Sequence, residues 1–118
     1  MHEMSLAQAV LAEAERCLTP YGPCARVVRV KVQVGALRAV VPEALTFCFH
    51  VVAQETPAED AVLDIEEIPL RTRCHRCGHE WLPDGVTFFC PLCDGPVEVL
   101  TGMELLLHSL QIDDGGDA

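Results

Sequence analysis

Basic charge is scarce in this chain of 118 residues: eight Lys and Arg stand against 18 Asp and Glu, a formal net charge of −10. Nucleic-acid phosphates need a basic surface, so the charge argues against a general affinity for nucleic acid. No run of about 18 apolar residues occurs, which excludes a membrane-spanning helix. The start, Met1-His2-Glu3-Met4-Ser5, has neither the basic region nor the apolar stretch of a secretory leader, and a cytoplasmic location is expected. Gly-rich phosphate loops, nucleophile elbows and paired carboxylates in separable environments are all missing, so the chain does not read as an enzyme. What is present is a hydrophobic share of 50%, enough for a packed core.

Cysteine is the informative residue. Of seven cysteines, four form two Cys-x-x-Cys pairs, Cys74/Cys77 and Cys90/Cys93. A two-residue gap lets both thiolates of a pair converge on one ion from a tight turn, and two such turns close a tetrahedron. Zn²⁺ prefers that S₄ shell, and a shell without an open position is structural. Structural disulfides would need an oxidising compartment, of which the sequence gives no sign. Four thiolates also bind iron, and Cys90-Pro91-Leu92-Cys93 leaves a rubredoxin-like electron-transfer protein as a rival reading. A zinc-ribbon module that binds nucleic acid through Arg71, Arg73 and Arg76 is a second rival, and the overall acidity opposes it. The plain reading of those arginines is a solvated rim or a docking face for an acidic protein. Cys17 and Cys48 fall in helix-like stretches and read as core, while Cys24 sits in a Pro-rich turn.

The rest of the chain reads as a two-layer α/β body. Ser5 with Gln8 has the pattern of a capping box, followed by Ala7, Leu11, Ala14 and Leu18 at helical spacing, so a helix is expected over 6–18. Val28, Val30, Val32 and Val34 alternate with Arg29, Lys31 and Gln33, which predicts a strand with one solvated face. Pro42 and Glu43 suit the start of a second helix, with Leu45, Cys48, Phe49 and Val52 as its buried stripe. A second strand is expected over 61–68. The stretch 103–112 is apolar on both faces, as a central strand should be. The expected fold is therefore a three-stranded sheet with two helices, carrying an inserted Cys₄ zinc-ribbon module. Its expected divisions are a body of 1–69 with 103–112, a zinc-binding domain at 70–102, and an acidic tail at 113–118. His50 and His108 read as structural, and His75 and His79 as surface residues or residues beside the zinc turns.

A second metal site is suggested at the start of the chain. The Met1 α-amine, the next backbone nitrogen and the His2 imidazole can close fused chelate rings, with Glu3 offering oxygen or its amide nitrogen. Such a nitrogen/oxygen set suits Ni²⁺ or Cu²⁺ better than Zn²⁺. A histidine at position two also occurs by chance. The helix that begins directly afterwards and the adjacency of His2 and Glu3 favour the ligand reading.

Three stretches together closely resemble the HypA/HybF family, the nickel metallochaperones of NiFe-hydrogenase maturation. They are Met1-His2-Glu3-Met4-Ser5-Leu6, the passage Val34-Gly35-Ala36-Leu37 … Val41-Pro42-Glu43-Ala44-Leu45 with Phe47 and Phe49, and the double Cys-x-x-Cys followed by Gly102-Met103-Glu104-Leu105. The resemblance runs from Met1 to about Ile112. It implies a nickel-binding domain with Met1 (amine), His2 and Glu3 as ligands of transported Ni²⁺. It also implies a structural Zn²⁺ held by Cys74, Cys77, Cys90 and Cys93. The implied partners are a HypB-type GTPase and the hydrogenase large-subunit precursor, with urease served by some members, and the chain would act as a monomer or homodimer. One departure stands out: some relatives carry a histidine after both cysteine pairs, whereas here His79 follows the first but Asp94 and Gly95 follow the second.

Overall fold

The computed structural model describes residues 3–83 and 89–115. Helix α1 covers Glu3–Leu18 and turns Leu6, Ala7, Val10, Leu11, Ala14 and Leu18 inward, the stripe its spacing predicts. It starts earlier than the capping pattern implies. Ser5 lies inside the first turn rather than at the cap, and the chain from Glu3 onward is already helical. A 3₁₀ turn at Thr19–Tyr21 and Gly22 (φ 93°) reverse the chain. Strand β1 (Arg26–Gly35) then runs through the middle of the first sheet.

Helix α2 (Pro42–Val52) has Pro42 in its first turn, where the missing N–H costs nothing. Leu45 and Phe49 are fully buried, with Cys48 and Val52 packed against the same core. Strand β2 (Val62–Ile68) pairs in parallel with β1, setting Val30 against Leu63 and Val32 against Ile65. Parallel neighbours need a crossover, and α2 supplies it. A strand over Leu105–Asp113, β6 in chain order, returns antiparallel on the other side of β1, so the sheet order is β2-β1-β6.

Two expectations are corrected here. The last strand is at the edge and β1 is central. The reason lies in its side chains: Leu105, Leu107, Leu110 and Ile112 pack toward the helices, while Leu106 points out and is 55% exposed. The run of alternating valines also breaks. Val27 is buried and Val28 exposed, because the register shifts between Val27 and Arg29 and leaves Val28 as the extra residue of a bulge.

Between β2 and β6 the chain builds a second sheet from β3 (Arg71–Cys74), β4 (Glu80–Trp81) and β5 (Val97–Thr101), in the order β4-β3-β5. The radius of gyration is 18.3 Å and the extents are 61 × 25 × 17 Å, whereas a compact chain of this length would have a radius of about 13–14 Å. Long shape follows from two small sheets that share no strand. They meet at a glycine junction. Gly35 N–H donates to Glu104 O at 2.7 Å, Leu37 N–H to Gly102 O at 2.8 Å, and Arg38 Nε to Met103 O at 2.9 Å. A Cβ on Gly35 would overlap the Gly102 backbone, and Gly102 itself holds φ 118° against Leu70. No described helix is long and apolar enough to cross a membrane.

Candidate metal centre

Each Cys-x-x-Cys pair forms the same short knuckle. In the first, Cys74 N–H donates to His79 O (2.8 Å) and Gly78 N–H to Cys74 O (3.1 Å). In the second, Cys90 N–H donates to Gly95 O (3.0 Å) and Asp94 N–H to Cys90 O (2.9 Å). Both need a left-handed residue directly after the second cysteine: Gly78 at φ 79° and Asp94 at φ 61°. Glycine meets that need without strain, and Asp tolerates it better than most residues. Strand β3, the middle strand of the second sheet, delivers Cys74 at its end, and Phe89 bridges to Pro96 beside the second knuckle.

The four sulfur atoms converge. Their Sγ positions all lie within 4.8 Å of one another, with Cys74–Cys93 at 3.4 Å and Cys77–Cys90 at 3.7 Å. A tetrahedral S₄ shell at the usual zinc–sulfur distance places sulfurs about 3.8 Å apart, so the donor set fits the ion in number, chemistry and spacing. Backbone N–H groups of Arg76 (3.3 Å) and Cys77 (3.4 Å) point at Cys74 Sγ, and that of Leu92 (3.4 Å) at Cys90 Sγ. These donors stabilise thiolate charge. Without metal, the Cys74 thiol is drawn down to about 6, first by the Cys77 N–H and against its own burial. Cys93 is pushed up to about 12 because its thiol faces the Cys74 sulfur and is desolvated. Cys74 and Cys90 are buried, and Gly95 packs so closely that a Cβ there would lie 3.0 Å from Cys74 Sγ. No room remains for a fifth ligand on that side.

The basic cluster beside the centre is mostly spent within the module. Arg73 binds Glu98 at 2.8 Å and approaches Glu80 at 3.8 Å, and Arg71 binds Glu80 at 3.1 Å. Arg76 reaches Cys93 O at 3.4 Å. This is a solvated rim with little left for phosphates. His79 stacks on Trp81 (centroids 5.4 Å, planes 9° apart), and His75 is exposed. His50 and His108 are exposed too, so neither serves the core. Of the remaining thiols, Cys17 and Cys48 are half-buried at the core margin and Cys24 is exposed. Of the aromatic residues that flank the zinc turns in the sequence, Trp81, Phe88 and Phe89, Phe88 lies outside the described residues.

At the other suggested site, Met1 and His2 lie outside the described residues. Glu3 is in the first turn of α1, where the helix N-terminus favours a carboxylate. Its Oε2 accepts the N–H of Val41, the residue that caps α2, at 3.1 Å. Sequence reasoning missed this link, which joins two helix starts far apart in the chain, because neither start signals the other. The second sheet around the cysteines was missed as well; its strands are too short for periodicity, though Val97 and Val99 alternate around Glu98.

The sequence model of a family described as "Hydrogenase/urease nickel incorporation, metallochaperone, hypA" matches residues 1–112. A hydrogenase maturation factor HypA of Desulfosudis oleivorans is 41% identical over 115 residues, covering 97% of this chain and 100% of that one. Another from Streptomyces avermitilis is 41% identical over 119 residues, with 98% and 89% covered. Among solved structures, the solution structure of the Ni metallochaperone HypA from Helicobacter pylori superposes with a TM-score of 0.67 at 26% identity, covering 94% and 97% of the two chains. A second HypA solution structure gives 0.72 at 26% identity, covering 97% and 98%.

Proposed function

We propose that this chain, which belongs to the HypA family of hydrogenase and urease nickel-incorporation metallochaperones, carries Ni²⁺ on its N-terminal residues and holds its shape with Zn²⁺ on the four cysteines. The observation that carries the reading is the family match over 1–112, which spans both the Met1-His2-Glu3 start and the two cysteine pairs. Nickel is cargo. The Met1 amine, the His2 imidazole and Glu3 would hold it through nitrogen and oxygen donors, as Ni²⁺ prefers. Zinc, held by Cys74, Cys77, Cys90 and Cys93, supplies structure alone, because four thiolates complete its shell.

The division of labour follows from donor chemistry. A closed S₄ shell exchanges slowly and suits a fixed ion; an open set of hard and intermediate donors at a chain end can be surrendered to a recipient. The divisions would be a nickel-binding domain of 1–69 with 103–112 and a zinc-binding domain of 70–102. No step requires bond-making beyond ligand exchange, so the chain acts as a carrier rather than an enzyme. Its recipient would be the hydrogenase large-subunit precursor and its partner a HypB-type GTPase, met in the cytoplasm.

Metal analysis after nickel loading, wild type against His2→Ala, tests this. The wild type should hold zinc and nickel in separate sites, and His2→Ala should lose nickel while keeping zinc. Iron in the cysteine site, visible as a red protein, would contradict the zinc assignment.

A further inference from the structure

The four sulfurs of the cysteine centre are not equivalent, although the two knuckles share one form. Burial separates them first: Cys74 and Cys90 are buried, Cys93 is half-buried, and Cys77 is exposed. Hydrogen bonding separates them again. Cys74 Sγ accepts the N–H groups of Arg76 and Cys77, and Cys90 Sγ accepts that of Leu92. The Gly95 backbone bonds Cys93 in the same manner. Among the described residues no N–H donates to Cys77 Sγ, which faces the Cys90 sulfur at 3.7 Å. Gly95 also closes the centre over Cys74 and Cys93, where a Cβ would lie 3.0 and 3.2 Å from their sulfurs. Cys77 is the side left open to water.

We propose that Cys77 is the reactive thiolate of the centre, the point at which hydroperoxides attack and from which zinc is lost. The proposal rests on the assignment of zinc to the four cysteines and goes beyond it, from a fixed structural ion to one that an oxidant dislodges. N–H···S bonds withdraw charge from a ligand sulfur, and burial bars reagents from it. The other three sulfurs have one or both protections, and Cys77 has neither. Two independent features therefore select the same residue.

With hydrogen peroxide the reaction balances within the centre. The Cys77 thiolate attacks one peroxide oxygen; an S–O bond forms, the O–O bond breaks, and hydroxide leaves, with Cys77 left as a sulfenic acid. Cys90 is next in line, its sulfur 3.7 Å away. The Cys90 thiolate attacks the Cys77 sulfur, an S–S bond forms, and the S–O bond breaks with loss of a second hydroxide. The two sulfurs together lose two electrons, and the peroxide gains them. Cys74 and Cys93 alone are half of a tetrahedral shell, too few to keep the ion. The knuckles then lose what ties them together. The first sheet stays folded, because its core contains none of these cysteines.

The test treats the zinc-loaded full chain with hydrogen peroxide, follows zinc release with a chromophoric chelator, and maps the products by mass spectrometry after digestion. With less than one equivalent of peroxide, sulfenic acid trapped among the four ligands should appear first at Cys77. The disulfide formed as zinc leaves should join Cys77 to Cys90. Oxidation at Cys17, Cys24 or Cys48 should release no zinc and is counted apart. Cys77→His keeps four ligands but removes this thiolate, and should slow peroxide-driven release by about tenfold or more. Cys93→His should release zinc at close to the wild-type rate. Zinc content and circular dichroism before oxidation show whether each variant is loaded and folded; if Cys77→His is not, the trapping map on the wild type decides alone. Oxidation spread evenly over the four ligands, or first at Cys74, Cys90 or Cys93, overturns the proposal and leaves the zinc assignment standing. A chain that holds no zinc at these cysteines overturns both.

Discussion

Glu3 Oε2 accepts the backbone N–H of Val41 at 3.1 Å, tying the first turn of α1 to the residue that caps α2. A side chain proposed as a metal ligand is thus also a structural acceptor. The two roles separate under mutation. Glu3→Gln keeps an acceptor oxygen and should leave stability within a few tenths of a kcal/mol, whereas Glu3→Ala hands the exposed N–H to water and should cost about 0.5–1 kcal/mol, the net worth of one hydrogen bond. Both should weaken nickel binding. Denaturation midpoints and nickel titration on the two variants check this; equal nickel affinity in all three proteins would remove Glu3 from the ligand set.

The glycine junction allows no side chain. Gly35→Ala would drive a methyl group into the Gly102 backbone. The hydrogen bonds around it leave little freedom to shift, so a loss of about 3 kcal/mol is expected, at the upper end of overpacking. Thermal or denaturant unfolding followed by circular dichroism measures it.

The two knuckles predict which residues position 78 accepts. Asp94 already occupies the matching left-handed position. Gly78→Asp should therefore cost well under 1 kcal/mol, and Gly78→Val about 2 kcal/mol, since a branched Cβ is least tolerated there. Trp81 emission during chelator challenge gives the order of stability.

Zinc affinity should depend on pH in a defined direction. Bound metal requires thiolates, so any thiol protonated in the free protein must lose its proton on binding. Cys93, pushed up to about 12, releases one throughout the neutral range, and affinity rises with pH there. Cys74, held down to about 6, is already a thiolate at neutral pH and joins the dependence only as pH falls through 6. Competition with a chelator from pH 5 to 8 should show affinity falling on acidification, more steeply below 6. A flat profile would contradict it.

Much of this was legible in the residues. The stripe of α1, the start of α2 at Pro42 and the convergence of Cys74, Cys77, Cys90 and Cys93 follow from spacing, because each is fixed by local geometry or by one ion's needs. The errors share a cause in tertiary context. Val27 and Val28 are chemically alike, so only pairing with β6 decides which turns inward. The apolar stretch from Leu105 fits a central strand on composition, yet Leu106 stays in water because nothing in the described chain covers it. The solvated-rim reading of Arg71 and Arg73 is not among these errors, but their partners Glu80 and Glu98 come from strands β4 and β5, which the sequence did not reveal.

The central claim is that nickel is held at the chain's own start while zinc is held elsewhere. Nickel titration of native protein against protein extended by a few residues ahead of Met1, with zinc measured in parallel, tests it most directly. Extension removes the free amine and breaks the fused chelate, leaving His2 and Glu3 as weak donors. The account predicts a large loss of nickel affinity on extension with zinc content unchanged at one per chain. Equal nickel affinity in the two forms, or loss of zinc together with nickel, would contradict it.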